Sequence, residues 1–193
     1  MAPKGGLWKE YRLIACDEST LRLPESEELA KEFGRWKTRE GITESPPIAR
    51  ISEYTDMATK LVLNGKIAPC KVSEDKLARE QLNEVVATMR KYGQEKMLFV
   101  YDRGYPSEEF IQQHLGLGVE FLFRLPRNFN RAVKAIYESQ EAESFVFSEG
   151  SPMLRILQFD LSSGERGLLI TSLRDYHRFS QENLSSVYHG RGI

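Results

Sequence analysis

Five consecutive apolar residues, Met97-Leu98-Phe99-Val100-Tyr101, form the most strand-like segment of this chain, and they stop at Asp102-Arg103-Gly104-Tyr105-Pro106. Ser107, followed by Glu108 and Glu109, then opens a short helix through Leu115, because a serine can cap free helix amides and acids favour the positive helix start. The run Tyr11–Cys16 is an earlier counterpart that ends at Asp17. Its last four residues are apolar, as in a strand buried on both faces.

Other elements fall between and after these two. Thr20–Leu23 alternates weakly and can pair back antiparallel, and Ser26–Phe33 reads as a helix that stops near Gly34. Arg35–Ile48 is polar, carries Pro46-Pro47 and reads as a loop. Ala49–Tyr54 and Lys60–Ile67 are strand candidates, the second broken or bulged at Asn64-Gly65. Ser73 is a helix N-cap, Leu77, Leu82, Val85, Val86 and Met89 give a helical stripe, and Gly93 ends it. Val119–Arg124 is a further strand. Three early strands before the first long helix, followed by β-α units, predict an α/β fold with a mixed sheet. Beyond Arg124 the spacing predicts a helix over Phe129–Tyr137 and strands over Ser144–Phe147, Leu154–Leu161 and Gly167–Leu173. A last helix is capped by Ser180.

Composition narrows the function classes. A length of 193 residues is consistent with one core. Lysine and arginine number 27 against 28 acids, so a nucleic-acid contact must come from a local patch. Arg124, Arg127, Arg131 and Lys134 make such a patch in the acid-free stretch Phe121–Tyr137, where Phe129 is placed to stack; the same residues also suit a solvated helix face. No apolar stretch reaches the roughly 20 residues of a membrane span, and Met1–Lys9 has no signal-peptide core. Cys16 and Cys70 read as reduced cytosolic thiols, and Trp8 and Trp36 as packing residues.

Asp17 and Asp102 each follow a strand, and in open α/β sheets the reactive crevice lies outside the strand carboxyl ends. If the two strands are parallel neighbours, both carboxylates meet. Two carboxylates about 4 Å apart repel by roughly 4 kcal/mol at an effective dielectric near 20, so they share a proton or bind a cation. Paired hard oxygens suit Mg²⁺ or Mn²⁺, which can activate water or a hydroxyl. Taken singly, each aspartate also suits a turn that bonds its own backbone. His114, His177 and His189 have no zinc spacing, and neither Ser19 nor Ser107 has a nucleophile elbow.

One ordered set of segments covers the chain from Tyr11 onward. It runs from Asp17 and Ala49-Arg50-Ile51-Ser52 through Ser73-Glu74, D-R-G-Y-P-S and Phe121–Leu125 to Tyr188-His189-Gly190-Arg191. It resembles the catalytic domain of bacterial insertion-sequence DDE transposases with the Tyr-x-x-Arg-x-x-x-Glu signature. The resemblance implies a ribonuclease-H-like mixed sheet flanked by helices, with a β-rich insertion before the last helix. The matching limits are a first core part at residues 8–125, an insertion at 126–173 and the start of the last core helix at 174–193.

The resemblance also implies three acids holding two divalent ions, Mg²⁺ or Mn²⁺, with DNA at transposon ends and target DNA as partners. Asp17 and Asp102 match the first two acids, and Tyr188 and Arg191 match DNA-contacting positions. The third acid falls beyond Ile193, Gly192 stands where a tryptophan is frequent, and Glu182 lies too near its helix start to substitute. The resemblance therefore implies a truncated transposase without strand transfer of its own, in the cytoplasm and associated with the nucleoid. Two alternatives stand beside it: a non-catalytic remnant that binds DNA or an intact transposase, and a phosphohydrolase using Asp17 as nucleophile.

Overall fold

The computed structural model describes residues 6–36, 45–139, 143–146, 153–161 and 163–191. In chain order the elements are β1 (Arg12–Arg22), α1 (Glu27–Phe33), β2 (Ile48–Asp56), β3 (Val62–Pro69), α2 (Glu74–Lys91), β4 (Met97–Tyr101) and α3 (Glu108–Leu117). They continue as β5 (Glu120–Leu125), α4 (Arg131–Ser139), β6 (Glu143–Val146), β7 (Leu154–Asp160), β8 (Arg166–Thr171) and α5 (Gln181–His189). Among the described residues the eight strands form one sheet in the order β3-β2-β1-β4-β5-β8-β7-β6.

The apolar run β4 is buried along its whole length and lies beside β1 and β5, parallel to both. Parallel neighbours cannot be joined by a tight hairpin, so helices α2 and α3 make the connections. β1, β2 and β3 form an antiparallel meander on one side. This is the ribonuclease-H-like α/β arrangement. On the other side β8, β7 and β6 continue the same sheet antiparallel from β5.

The structure departs from the sequence pattern at several places. β1 does not end before Asp17; it runs on to Arg22 and absorbs Thr20–Leu23, because β2 pairs with it from Ile14↔Asp56 to Arg22↔Ile48. Asn64-Gly65 lies inside β3, and the register steps from Tyr54↔Asn64 to Thr55↔Val62, leaving Leu63 as the extra residue of a bulge. Ser73 holds the N-cap position of α2 without a side-chain cap bond, whereas Ser107 and Ser180 accept from the amides of Phe110 and Asn183, each at 3.2 Å. Phe129, placed to stack in the sequence pattern, is partly buried and packs against the main core. Trp8 packs on Phe179, but Trp36 is 44% exposed with the Arg50 guanidinium over its ring. Residues 37–44 of the expected loop, and Phe147 of the expected strand, lie outside the described residues.

The two faces of the sheet are covered differently. On one face, β4 (Met97, Phe99, Tyr101) and β5 (Phe121, Phe123, Leu125) pack with α2, α3 and Val133 of α4. Tyr101 stacks on Phe123 with centroids 4.5 Å apart. A buried hydrogen-bond chain crosses this core. Tyr54 Oη lies 2.9 Å from the Ala78 carbonyl and 3.0 Å from Tyr101 Oη, and Tyr101 Oη lies 2.9 Å from His114 Nε2. His114 Nδ1 is 2.8 Å from the Phe110 carbonyl, which has no proton to give, so Nδ1–H donates and Nε2 accepts from Tyr101. Burial pushes the imidazole down to about 3. The alternate residues Leu98, Val100 and Leu122 face the opposite side, where a smaller core is closed by α5, Trp8, Tyr11 and Phe179.

Candidate active site

The alternation of side chains along a strand decides where the two aspartates point. Ile14 and Cys16 belong to the larger core and Leu13 to the smaller one, so Asp17 emerges on the smaller side. Tyr101 faces the larger core, so Asp102, one residue on, also emerges on the smaller side. Phe123 and Leu125 place Arg124 there as well. The register then brings them level. Ala15 pairs with Val100 in the parallel β1–β4 ladder, and two further residues along each strand set Asp17 beside Asp102. Tyr101 pairs with Phe123, so Arg124 follows beside Asp102. Neighbouring strands lie roughly 4.8 Å apart, so the three side chains stand side by side at one edge of this face.

Helix α5 supplies the lid. Tyr188 donates from Oη to Asp102 Oδ1 at 2.8 Å, and its ring packs edge-on to Phe159 at 5.1 Å. Arg191 follows the helix end and sits between the two acids. Its Nη2 lies 3.2 Å from Asp102 Oδ2 and its Nη1 3.8 Å from Asp17 Oδ1. Arg124 Nη1 is 3.3 Å from Asp102 Oδ1, which also accepts the Arg103 amide at 2.7 Å. Burial raises the Asp102 carboxyl, but the Arg103 amide, Tyr188, Arg191 and Arg124 outweigh it and hold the group below the usual carboxylate range. Asp17 is more open, 56% exposed against 35% for Asp102, and accepts the Glu18 amide at 3.0 Å. Both aspartates open onto a cleft of about 300 Å³ shared with Glu18, Glu74, Arg103, Gly104 and Tyr105.

The family model for the transposase DDE domain matches residues 8–193. The chain belongs to this family. A comparison with curated proteins returns no match. Among solved structures, the domain resembles the piggyBac transposase in a synaptic complex with hairpin DNA, with a TM-score of 0.56 at 12% identity. That likeness covers 92% of this chain and 39% of the piggyBac chain. The Mos1 mariner transposase, in a paired-end complex with Mn, gives a TM-score of 0.38 at 13% identity over 61% of this chain and 36% of its own. The chain thus spans well under half the length of these two transposases. At such identities the piggyBac likeness speaks for the fold alone.

The transposase domain also carries a basic cleft, of about 540 Å³, that begins at Arg103 and Arg124 and continues past Arg127 to Arg166. Arg131, expected in the same patch, is exposed on α4 and does not line this cleft. The sequence pattern does not single out Arg103 or Arg166 as cleft residues. Arg103 sits within the D-R-G-Y segment beside the acid. No local signal marks Arg166, which the β7–β8 pairing brings there from a distant segment. Glu182 lines a different cleft, with Gln158, Asp160 and Ser185.

A second, structural network lies behind the acid pair. Arg50 pairs with Glu18, lies 3.6 Å from Glu74 and donates to the Cys70 carbonyl at 3.3 Å. Burial raises the Glu18 carboxyl, while Arg50 pulls it down and Glu74 pushes it up, leaving it above the usual range. The Glu74 carboxylate lies so close to Gly104 that a Cβ there would stand 2.1 Å from Oε2, so glycine leaves room for it beside the acidic turn.

Proposed function

We propose that this transposase domain binds DNA along the arginine-lined cleft and holds a divalent cation, Mg²⁺ or Mn²⁺, at Asp17 and Asp102. Its chemistry would be the cleavage and transfer of DNA strands at transposon ends. The observation that carries this reading is the β1–β4 register, which sets two acids from distant segments side by side on the face covered by α5. The donor set fits the cation: two hard carboxylates with a positive guanidinium already standing between them. Mg²⁺ in particular is commonly held by one or two carboxylates and shared with substrate phosphates. When bound, such an ion supplies water or hydroxyl activation and stabilises the leaving oxygen.

The protein's own groups hold and orient. The Arg103 amide and Tyr188 hydroxyl fix Asp102 as a deprotonated ligand. Asp17, with more room, turns to meet it. Arg124 and Arg127 neutralise backbone phosphates, and Arg191 suits a bidentate phosphate grip. We assign residues 8–125 and 174–193 to the catalytic core and 126–173 to an insertion that widens its sheet. DNA as partner would associate the protein with the nucleoid, and no described helix is long and apolar enough to cross a membrane.

A binding role without strand transfer is favoured by a specific observation. Glu18 and Glu74 face the acidic cleft, but Arg50 engages both. Among the described residues no three His, Cys, Asp or Glu side chains form a group able to hold a metal. In this second reading the domain binds DNA, or pairs with another transposase, and transfers strands weakly or not at all. An electrophoretic shift of duplex DNA over a salt series, with Mn²⁺-dependent nicking read in parallel, tests this. The expected result is binding whose log affinity falls linearly with log salt, with a slope reduced by about 1 in Arg127→Ala, and little nicking. Binding indifferent to salt and to Arg127→Ala would overturn it.

A further inference from the structure

Arg191 occupies the ground between two acids that the sheet brings together. Its guanidinium reaches both, at 3.2 Å to Asp102 and 3.8 Å to Asp17, with a side chain only 18% exposed. The Tyr188 ring lies 5.5 Å from its Cζ. Its Nε is buried and, among the described residues, has no hydrogen-bond partner. The guanidinium is therefore held by charge on one edge while part of its donor set goes unused.

Two features make this contact exchangeable. Arg191 lies beyond the last residue of α5, and among the described residues its amide bonds only to the Tyr188 carbonyl, at 3.2 Å, so the side chain hangs from the helix end. Phosphate is also the better match for the fork of donors, since two parallel N–H groups meet two oxygens of one group. The basic cleft that reaches Arg103 and Arg124 would deliver such a phosphate next to Arg191. A divalent ion at Asp17 and Asp102 would need oxygens at roughly 2.0–2.1 Å, within the space the guanidinium fills, and the two cations would repel.

We propose that Arg191 is a resident counter-ion of the acid pair, which lowers its affinity for divalent cations until a nucleic-acid phosphate draws the guanidinium away. This rests on the reading of Asp17 and Asp102 given under Proposed function. By linkage, DNA and metal then bind with positive cooperativity, each raising the affinity for the other by the same factor.

Calorimetric titration of the full chain with Mn²⁺ tests the proposal. Arg191→Gln should bind Mn²⁺ at least about fivefold more tightly than wild type in the absence of DNA, the lower end of ordinary coupling between sites. Arg191→Lys, which keeps the charge, and Arg174→Gln, which removes the same charge from an exposed position away from the site, should stay within about twofold, well short of that coupling. Fluorescence anisotropy with labelled duplex DNA supplies the reciprocal arm: Mn²⁺ should strengthen DNA binding by wild type more than by Arg191→Gln. In the unmutated protein, the ¹⁵N resonance of Arg191 Nε should shift on addition of Mg²⁺, a readout that needs no variant.

Equal or weaker Mn²⁺ binding by Arg191→Gln, or an Nε resonance that ignores Mg²⁺, overturns the counter-ion role. If Asp102→Asn abolishes Mn²⁺ binding in that same experiment, the acid-pair reading survives and only the counter-ion role fails. If Asp102→Asn binds Mn²⁺ like wild type, both fail.

Discussion

One face of the sheet lies under α2, α3 and α4 and is sealed by stacked rings. The other lies under α5 and the segment around Trp8 and Tyr11, and carries Asp17, Asp102 and Arg124 at its edge. The same strands build both faces through alternate residues. Tyr101 is fully buried on the thick side, while Asp102 next to it is 35% exposed on the thin side. The contrast shows how such a domain divides labour. The thick face makes the strands rigid, and the thin face leaves room for charged groups that a larger core would exclude.

The largest effect should come from breaking the thick face. Phe123→Ala removes the ring stacked on Tyr101 and should destabilise the fold by about 3–5 kcal/mol in urea denaturation. A loss below about 1 kcal/mol, the size of an ordinary mild substitution, would mean the thick face is not the main source of stability. Gly167→Ala probes the thin face. Its Cβ would stand 2.4 Å from the Phe159 ring, which packs on Tyr188. Overpacking of this kind costs about 1–3 kcal/mol. Here it should also disturb Tyr188, read as a rise in the Asp102 carboxyl titration by NMR. Loss of stability with an unmoved Asp102 would uncouple the thin core from the site.

Acid sensitivity should belong to the thick face. His114 stays neutral in the fold because burial lowers it from 6.5 to about 3, whereas the unfolded chain protonates near the ordinary value. Between those limits the unfolded state binds more protons. Stability therefore falls as pH falls from about 6.5 toward 3, by up to about 1.4 kcal/mol per pH unit from this group. An NMR titration should find the His114 ring neutral at about pH 4.5, well above its lowered value; protonation near 6.5 would contradict the buried chain through Tyr101. The smallest effect is expected at Gly104→Ala. The atom it meets is the free end of the flexible, 39% exposed Glu74 side chain, which can swing aside. Stability should change by about 0.5 kcal/mol or less; a loss above about 2 kcal/mol would mean that Glu74 is held rigidly.

Much of the thick face was legible in the sequence, because its signals are local. The apolar run of β4, the α2 stripe from Leu77 to Met89 and the Ser107 cap each need only a short window of residues. The second half of β1 was not legible. From Glu18 to Arg22 it has little apolar pattern of its own and is strand because β2 pairs with it. The aspartates were legible as strand-associated acids, but not their alignment, which is a property of register. Arg166 and the bridging position of Arg191 depend on segments far apart in the chain, and no spacing rule reaches them.

The claim on which the functional reading depends is that Asp17 and Asp102 jointly hold a divalent cation. Calorimetric Mn²⁺ titration of wild type, Asp17→Asn and Asp102→Asn measures this directly. The expected result is a saturable heat in wild type that is lost in Asp102→Asn and strongly reduced in Asp17→Asn, with the fold of each variant intact by circular dichroism. Equal Mn²⁺ binding by wild type and Asp102→Asn would contradict it.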